Sequence, residues 1–308
     1  MGRFLITGAL GAVGVWTMRS LLEHGHDVVA FDVGGDGHRL PIALEPDQIE
    51  AVVRVQGDIT DLQAVERAID EHAITNVIHL AALQVPFVRA DPALGTRVNV
   101  VGTVNVLEAV RRRKDRIGHV VYASSIAVYG AGGTLDAADV PGTLYGVTKR
   151  ANEGAALRYS EDYGVSSIGL RPHTVYGPAR DQGMTSAPTV AMLATAAGVP
   201  FRIPFGGSVQ LQYAPDVGEA FARTAELEYD GASVHNVDGP VVAISDLVGL
   251  LGEGITADDQ ALPFPGGVDG SSFVALLGGS VMRSVQDGVI DAVQRFERLL
   301  AAGLVKPP

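Results

Sequence analysis

Tyr145 and Lys149 stand four residues apart in "YGVTK", a spacing that puts a phenol and an ammonium on one face of a helix. A phenol with a pKa of about 10 is a poor base at neutral pH, but a nearby ammonium stabilises the phenolate, so the pair reads as a proton relay. The motif also arises by chance on surface helices and says little alone. Upstream, "VVYASSIAVYG" ends an apolar strand with Ser124 and Ser125, and ligands bind at the carboxyl ends of parallel strands. A hydroxyl there can hold a substrate oxygen beside the phenol. A serine nucleophile fits less well, since neither a G-x-S-x-G elbow nor an evident His/Asp pair accompanies it.

A second group of residues opens the chain. In "FLITGALGAVG", Gly8, Gly11 and Gly14 follow the apolar run Phe4, Leu5, Ile6, and their bare backbone lets N–H groups approach a pyrophosphate at a helix N-terminus. A tight turn with no ligand would use the same glycines. Asp32 closes the next apolar run, "VVAFDVGG", near the distance at which a carboxylate accepts hydrogen bonds from an adenosine ribose. That carboxylate repels a 2′-phosphate and no arginine directly follows it, so NAD is favoured over NADP. Taken alone, Asp32 serves equally as a turn cap. Asp58, in "VQGDIT", either caps the helix after it or faces the adenine.

The elements that must position these groups alternate between apolar, β-rich runs and helical patterns, the signature of βαβ units and a parallel sheet covered on both faces. The pattern predicts strands at Arg3–Thr7, Asp27–Asp32, Val52–Gln56, Asn76–His79, His119–Ala123 and Ser167–Arg171. Helices are predicted at Val13–His24, Leu62–His72, Thr96–Arg113 and Leu144–Tyr163. After Arg171 the alternation fades into "RPHTVYGPARDQGMTSAP" and a helical run, Thr189–Ala197, where a smaller lobe begins. A last strand, Ala232–Val237, returns to the sheet. "DDQALPFPGGVDGSS" reads as an exposed loop before an amphipathic helix, Ser284–Ala302, and "RRRKDR" as cations closing a helix at its negative pole.

Composition narrows the function classes. With 23 Lys+Arg against 35 Asp+Glu, a formal net charge of -12 argues against nucleic acid or an anionic membrane as partner. The chain has no cysteine, which removes disulfides, thiolate catalysis and iron–sulfur sites. Its eight histidines show no ligand spacing, so no metal site is expected. "MGRFLITG" lacks the apolar stretch of a signal peptide, and later apolar runs are broken before the ~18 residues of a membrane span. A soluble, cytoplasmic protein is the expectation.

Taken in order, "TGALGAVG" with Asp32, "HLAA" (79–82), "NVVGTVNVLEA" (99–109), "YASSIAVYG" (122–130), "YGVTK" (145–149) and "RPHTVYGP" (171–178) resemble the motifs of extended short-chain dehydrogenases of the NAD-dependent epimerase/dehydratase type. The resemblance implies a Rossmann-type, doubly wound α/β fold with a smaller C-terminal substrate lobe. Residues 1–171 would form the NAD domain with 206–241 returning to it, and 172–205 and 242–308 the lobe. It further implies Ser125, Tyr145 and Lys149 as catalytic residues. Thr7, Gly8, Gly11, Ala12, Val13, Gly14, Asp32, Asp58, Ile59, Leu80, Ala81, Ala82 and Asn99, with Tyr145 and Lys149, would contact or shape the cofactor pocket. For Asn99 the residue itself argues only for a buried hydrogen bond.

The sequence departs from this pattern in places. Aligned on Tyr213 and Asp216, it places Val209 where many nucleotide-sugar enzymes carry a diphosphate-gripping arginine; an isopropyl group cannot replace that charge, though Arg202 and Arg180 lie in the same lobe. "SSIA" offers no carboxylate of the kind family dehydratases use. Ser124, His173, Arg180, Gln182, Thr185 and Ser186 are candidate substrate contacts, His173 fitting a buried structural role equally. The expected activity is NAD-dependent interconversion of a secondary alcohol and a ketone on a small-molecule sugar or nucleotide-sugar, first as an epimerase. The alternatives are a net dehydrogenase of a free sugar, sugar acid or other secondary alcohol, and a non-catalytic NAD-binding regulator. Family resemblance also implies a homodimer.

Overall fold

Strands buried on both faces must be apolar almost throughout, and "FLIT", "VVAF" and "HVVYA" are. In the structure, a computed structural model describing residues 2–308 apart from Ala131, Met184 and Pro263, these runs form the centre of a seven-stranded parallel sheet. Its strands are β1 (Arg3–Thr7), β2 (Asp27–Asp32), β3 (Val53–Gln56), β4 (Asn76–His79), β5 (His119–Ala123) and β6 (Ser166–Arg171). The smaller strands β7 (Thr174–Tyr176), β8 (Phe201–Ile203) and β9 (Ser208–Tyr213) follow, then β10 (Ala232–Asn236), β11 (Val241–Ala243) and β12 (Ile255–Ala257). The large sheet runs β3-β2-β1-β4-β5-β6-β10, so the winding reverses between β1 and β4. A crevice opens at such a reversal, beyond the carboxyl ends of the strands.

The expected α/β architecture is the one observed, with strand bounds that coincide at β1, β2, β4 and β5. Helix Leu144–Tyr163 also matches its predicted bounds, because Thr143 accepts from the Gly146 N–H at one end and Gly164 takes φ +68° at the other. The expected continuous helix over 96–113 is instead three segments, Pro92–Thr96, a π turn Arg97–Val101, and Gly102–Arg111. The arginines at its end pair with Glu66, Asp70 and Glu108 as well as meeting the helix pole.

The lobe holds a small sheet, β11-β9-β7, and a parallel pair, β12-β8. Because β9 lies there, the chain's return to the large layer begins with helix Ala214–Glu226, not at residue 206. Gly218 lets that helix cross Ala12–Glu23 closely, since a Cβ at Gly218 would stand 2.5 Å from the Trp16 backbone. Helix Ser271–Leu277, in the stretch assigned to the lobe, places Phe273 and Leu277 in the core beneath the large sheet. The expected exposed loop before it is largely half-buried: Val268 N–H donates to Gln210 Oε1 at 3.1 Å, and His173 Nε2 bonds the Pro265 carbonyl at 2.8 Å.

Candidate active site

At the β1–β4 reversal lies a cavity of about 700 Å³. One end is the glycine turn. Gly8 holds φ +70° and its N–H donates to Phe31 O, while an added Cβ would lie 2.6 Å from the Ala81 backbone. Gly11 caps helix Ala12–Glu23 with no side-chain hydrogen bond and no acidic residue in the first turn. The positive end of that helix therefore faces the cavity, beside lining residues Gly8, Gly11, Ala12, Val13 and Gly14, and suits an anion. Asp32 lies on the same wall and accepts from Leu10 N–H at 3.0 Å; burial raises its pKa, and backbone N–H groups oppose the rise. Ile59, Leu80, Ala81 and Ala82 continue the wall. Asp58 lines it too and accepts from Thr60 N–H, while Asp61 caps the following helix. Donors for a pyrophosphate, an acceptor for a ribose and apolar walls between them fit a dinucleotide.

Ser125, Tyr145 and Lys149 line the other end. Lys149 Nζ donates to the Ala123 carbonyl at 2.6 Å and lies 5.7 Å from the Tyr145 ring centroid. Burial lowers the Lys149 pKa to about 8, with Glu153 opposing, so the amine is poised to give and take a proton near neutrality. Burial raises the Tyr145 pKa, and the opposing influences come from the Ser125 hydroxyl and Arg180, not from Lys149 as the sequence spacing implied. Ser125 Oγ accepts from Ala127 N–H at 3.1 Å.

Two residues expected in the pocket stand behind it. Thr7 is fully buried, its Oγ1 2.7 Å from His79 Nδ1, and His79 Nε2 meets Thr103 Oγ1 at 3.0 Å. Asn99 accepts from Leu83 N–H at 2.7 Å and donates to Leu83 O and Thr148 Oγ1, tying the pocket loop to helix Leu144–Tyr163. Of the candidate substrate contacts, Ser124, His173, Arg180 and Thr185 line the cavity, while Gln182 and Ser186 do not. Both His173 nitrogens are occupied, by Thr174 Oγ1 and Pro265 O, and burial lowers its pKa, so the ring is a neutral wall.

Sequence reasoning missed Glu153, Gln84 and Phe264. Glu153 accepts two 2.7 Å bonds from Arg171 and the Ser124 hydroxyl proton; its place one turn beyond Lys149, itself one turn beyond Tyr145, was the available signal. Phe264 packs edge-on against His173 from far along the chain, which no local pattern reveals.

A family model, "NAD dependent epimerase/dehydratase family", matches residues 4–237. The chain belongs to this family. Among curated proteins, UDP-glucuronate 4-epimerase 2 of Arabidopsis thaliana is 34% identical over 183 residues, 56% of this chain but only 42% of that protein. Among solved structures, the UDP-glucose 4-epimerase of Thermus thermophilus in complex with NAD has TM-score 0.77 and 26% identity, covering 96% of this chain and 98% of that one. MoeE5 in complex with UDP-glucose and NAD has TM-score 0.76 and 28% identity, covering 97% and 100%. Among the described residues, no helix is long and apolar enough to cross a membrane.

Proposed function

We propose that this family member uses NAD to interconvert a secondary alcohol and a ketone on a sugar or nucleotide-sugar, acting as an epimerase. The reading rests on one observation: Ser125, Tyr145 and Lys149 line the same cavity as the glycine turn and Asp32. NAD, when bound, supplies the acceptor for a carbinol hydride and the donor that returns it. Asp32 would hold the adenosine ribose and the amides after Gly11 the pyrophosphate, in keeping with the NAD complexes of the solved relatives.

The chain's own residues handle the proton. Ser125 Oγ orients the substrate hydroxyl toward Tyr145, which once deprotonated, a state that Ser125 and Arg180 favour against burial, takes the proton as the C–O bond gains double-bond character. Lys149, with a pKa of about 8, feeds or drains that proton. The exposed apolar residues Val101, Leu144 and Val147 on neighbouring helices support a homodimer, and a cytoplasmic location agrees with the cysteine-free composition.

The test follows absorbance at 340 nm with added NAD while products are analysed. An isomerised sugar without accumulating NADH is expected; accumulating NADH would make the protein a net dehydrogenase. Tyr145→Phe should lower turnover by about 10²–10⁴-fold with NAD binding kept, and unchanged turnover would remove the phenol from the mechanism.

A further inference from the structure

Among the described residues, Arg180 is the one cavity-lining cation that the dinucleotide wall and the proton relay leave uncommitted. Its guanidinium donates to Gln84 Oε1 at 3.2 Å and to the Gln182 carbonyl, both neutral oxygens. No carboxylate among the described residues pairs with it, and the adjacent Asp181 turns away to Arg39 at 2.7 Å and His38 at 3.1 Å. Gly183, at φ +107°, makes room: a Cβ there would stand 2.8 Å from Arg180 Nη2 and 2.4 Å from Gln84 Oε1. The guanidinium is close enough to the Tyr145 phenol for their charges to interact. Arg180 is half-buried and its hydrogen-bond partners are neutral oxygens, so its guanidinium, beside the reacting group, is free to receive an anion supplied by the ligand.

The same end of the cavity is built against a nucleoside diphosphate. Val209 is fully buried in the lobe core, and neither β8 nor β9 lines the cavity. Arg202 lies outside it, paired with Asp258. The segment after β12 closes that side, with Phe264 against His173 and Gly266 packed on β9, where a Cβ would lie 2.7 Å from Ser208 O. One planar guanidinium at this end of the cavity matches one carboxylate, through paired N–H···O bonds.

We propose that Arg180 anchors the carboxylate of a small polyhydroxy acid, so that the substrate is a free sugar acid carrying no nucleotide. This rests on the oxidoreductive reading above and narrows its substrate. With the carboxylate held there, a carbinol of the same acid is offered to Ser125 and Tyr145, which line the same cavity.

The test presents NAD and the wild-type protein with D-glucuronate, D-galacturonate and D-gluconate, with the neutral sugars D-glucose and D-galactose, with D-glucose 6-phosphate, and with UDP-glucose and UDP-glucuronate. Absorbance and product analysis are read together. Tyr145-dependent turnover of at least one free acid, well above its neutral counterpart, is expected. Arg180→Gln should then raise KM for that acid about 10- to 100-fold, and Arg180→Lys by less, while the NAD dissociation constant by titration calorimetry stays within about twofold. Calorimetry on each variant also shows that it is folded. Turnover of a UDP-sugar or the sugar phosphate in preference to every free acid overturns the proposal and leaves the oxidoreductive reading standing. So does an Arg180→Gln variant that loses NAD affinity with KM unchanged, which would assign the guanidinium to the dinucleotide. Absence of Tyr145-dependent turnover across the whole panel defeats both.

Discussion

Replacing Glu153 by Gln removes a carboxylate that holds together much of the wall behind the phenol. Glu153 and Arg171 are paired through two 2.7 Å bonds, with side-chain exposures of 11% and 9%, and Glu153 also accepts from Ser124. Breaking a buried pair by removing one partner costs about 3–5 kcal/mol, because the other charge remains buried and uncompensated. Arg171 keeps Tyr129 Oη at 3.2 Å and stacks on that ring at 5.4 Å, so the lower end applies. For a chain of 308 residues, an unfolding entropy of ~2.1 cal/mol/K per residue gives roughly 0.65 kcal/mol/K, and about 3 kcal/mol becomes a fall of about 5 °C in Tm. Urea denaturation of Glu153→Gln, Arg171→Met and the double variant measures the pair directly. The double variant should lose less than the sum of the single ones. A cost for Glu153→Gln below about 1 kcal/mol, the range of an exposed pair, would refute the claim that this carboxylate braces the site.

Two further outcomes are expected. Burial holds the His79 pKa down from 6.5 to about 3, so as pH falls below 6.5 the unfolded chain takes a proton that the folded one refuses. Stability from this group is intact above pH 6.5 and declines by up to ~1.4 kcal/mol per pH unit toward pH 3; His79→Gln should flatten that slope in urea midpoints taken at successive pH values. Gly8→Ala should lower Tm and abolish measurable NAD binding, since it meets both a φ of +70° and backbone atoms 2.6 Å away; calorimetric binding near the wild-type value would contradict this.

The parallel layer was legible because its residues obey local rules. "FLIT" breaking into Gly8, and Thr143 with Gly164 bounding a helix, each encode an element within a few residues. The cavity-lining glycines, Asp32 and the Tyr145/Lys149 pair were legible for the same reason. What escaped depends on distance along the chain. The strands of the lobe are as short as three residues and draw their support from partners such as Val241 on Gln210, so no period has room to declare itself. The π turn at Arg97–Val101 sits where Asn99 reaches out of its helix to the Leu83 backbone, a demand set by another segment. Thr7 and Asn99 were expected at the pocket from the family resemblance, and their polar atoms are spent on His79 and Leu83, Asn99 in the buried hydrogen bonds its residue type argued for. Lys149 fell on the expected face, yet its ammonium turned to the Ala123 carbonyl, a partner outside the helix.

The path of the chain between its two layers bears on how such a protein can change. It leaves the large sheet after Arg171, returns after Tyr213 and leaves again after Asn236; it then sends Phe273 and Leu277 into the large core before the final helix, Val285–Ala301, packs on the lobe. A lobe stitched in at so many points cannot be traded between relatives as a cassette, because each splice would have to match several junctions at once. New substrates must instead be reached by exchanging single side chains or reshaping individual loops, with the glycine turn and the Ser125, Tyr145 and Lys149 cluster left in place throughout.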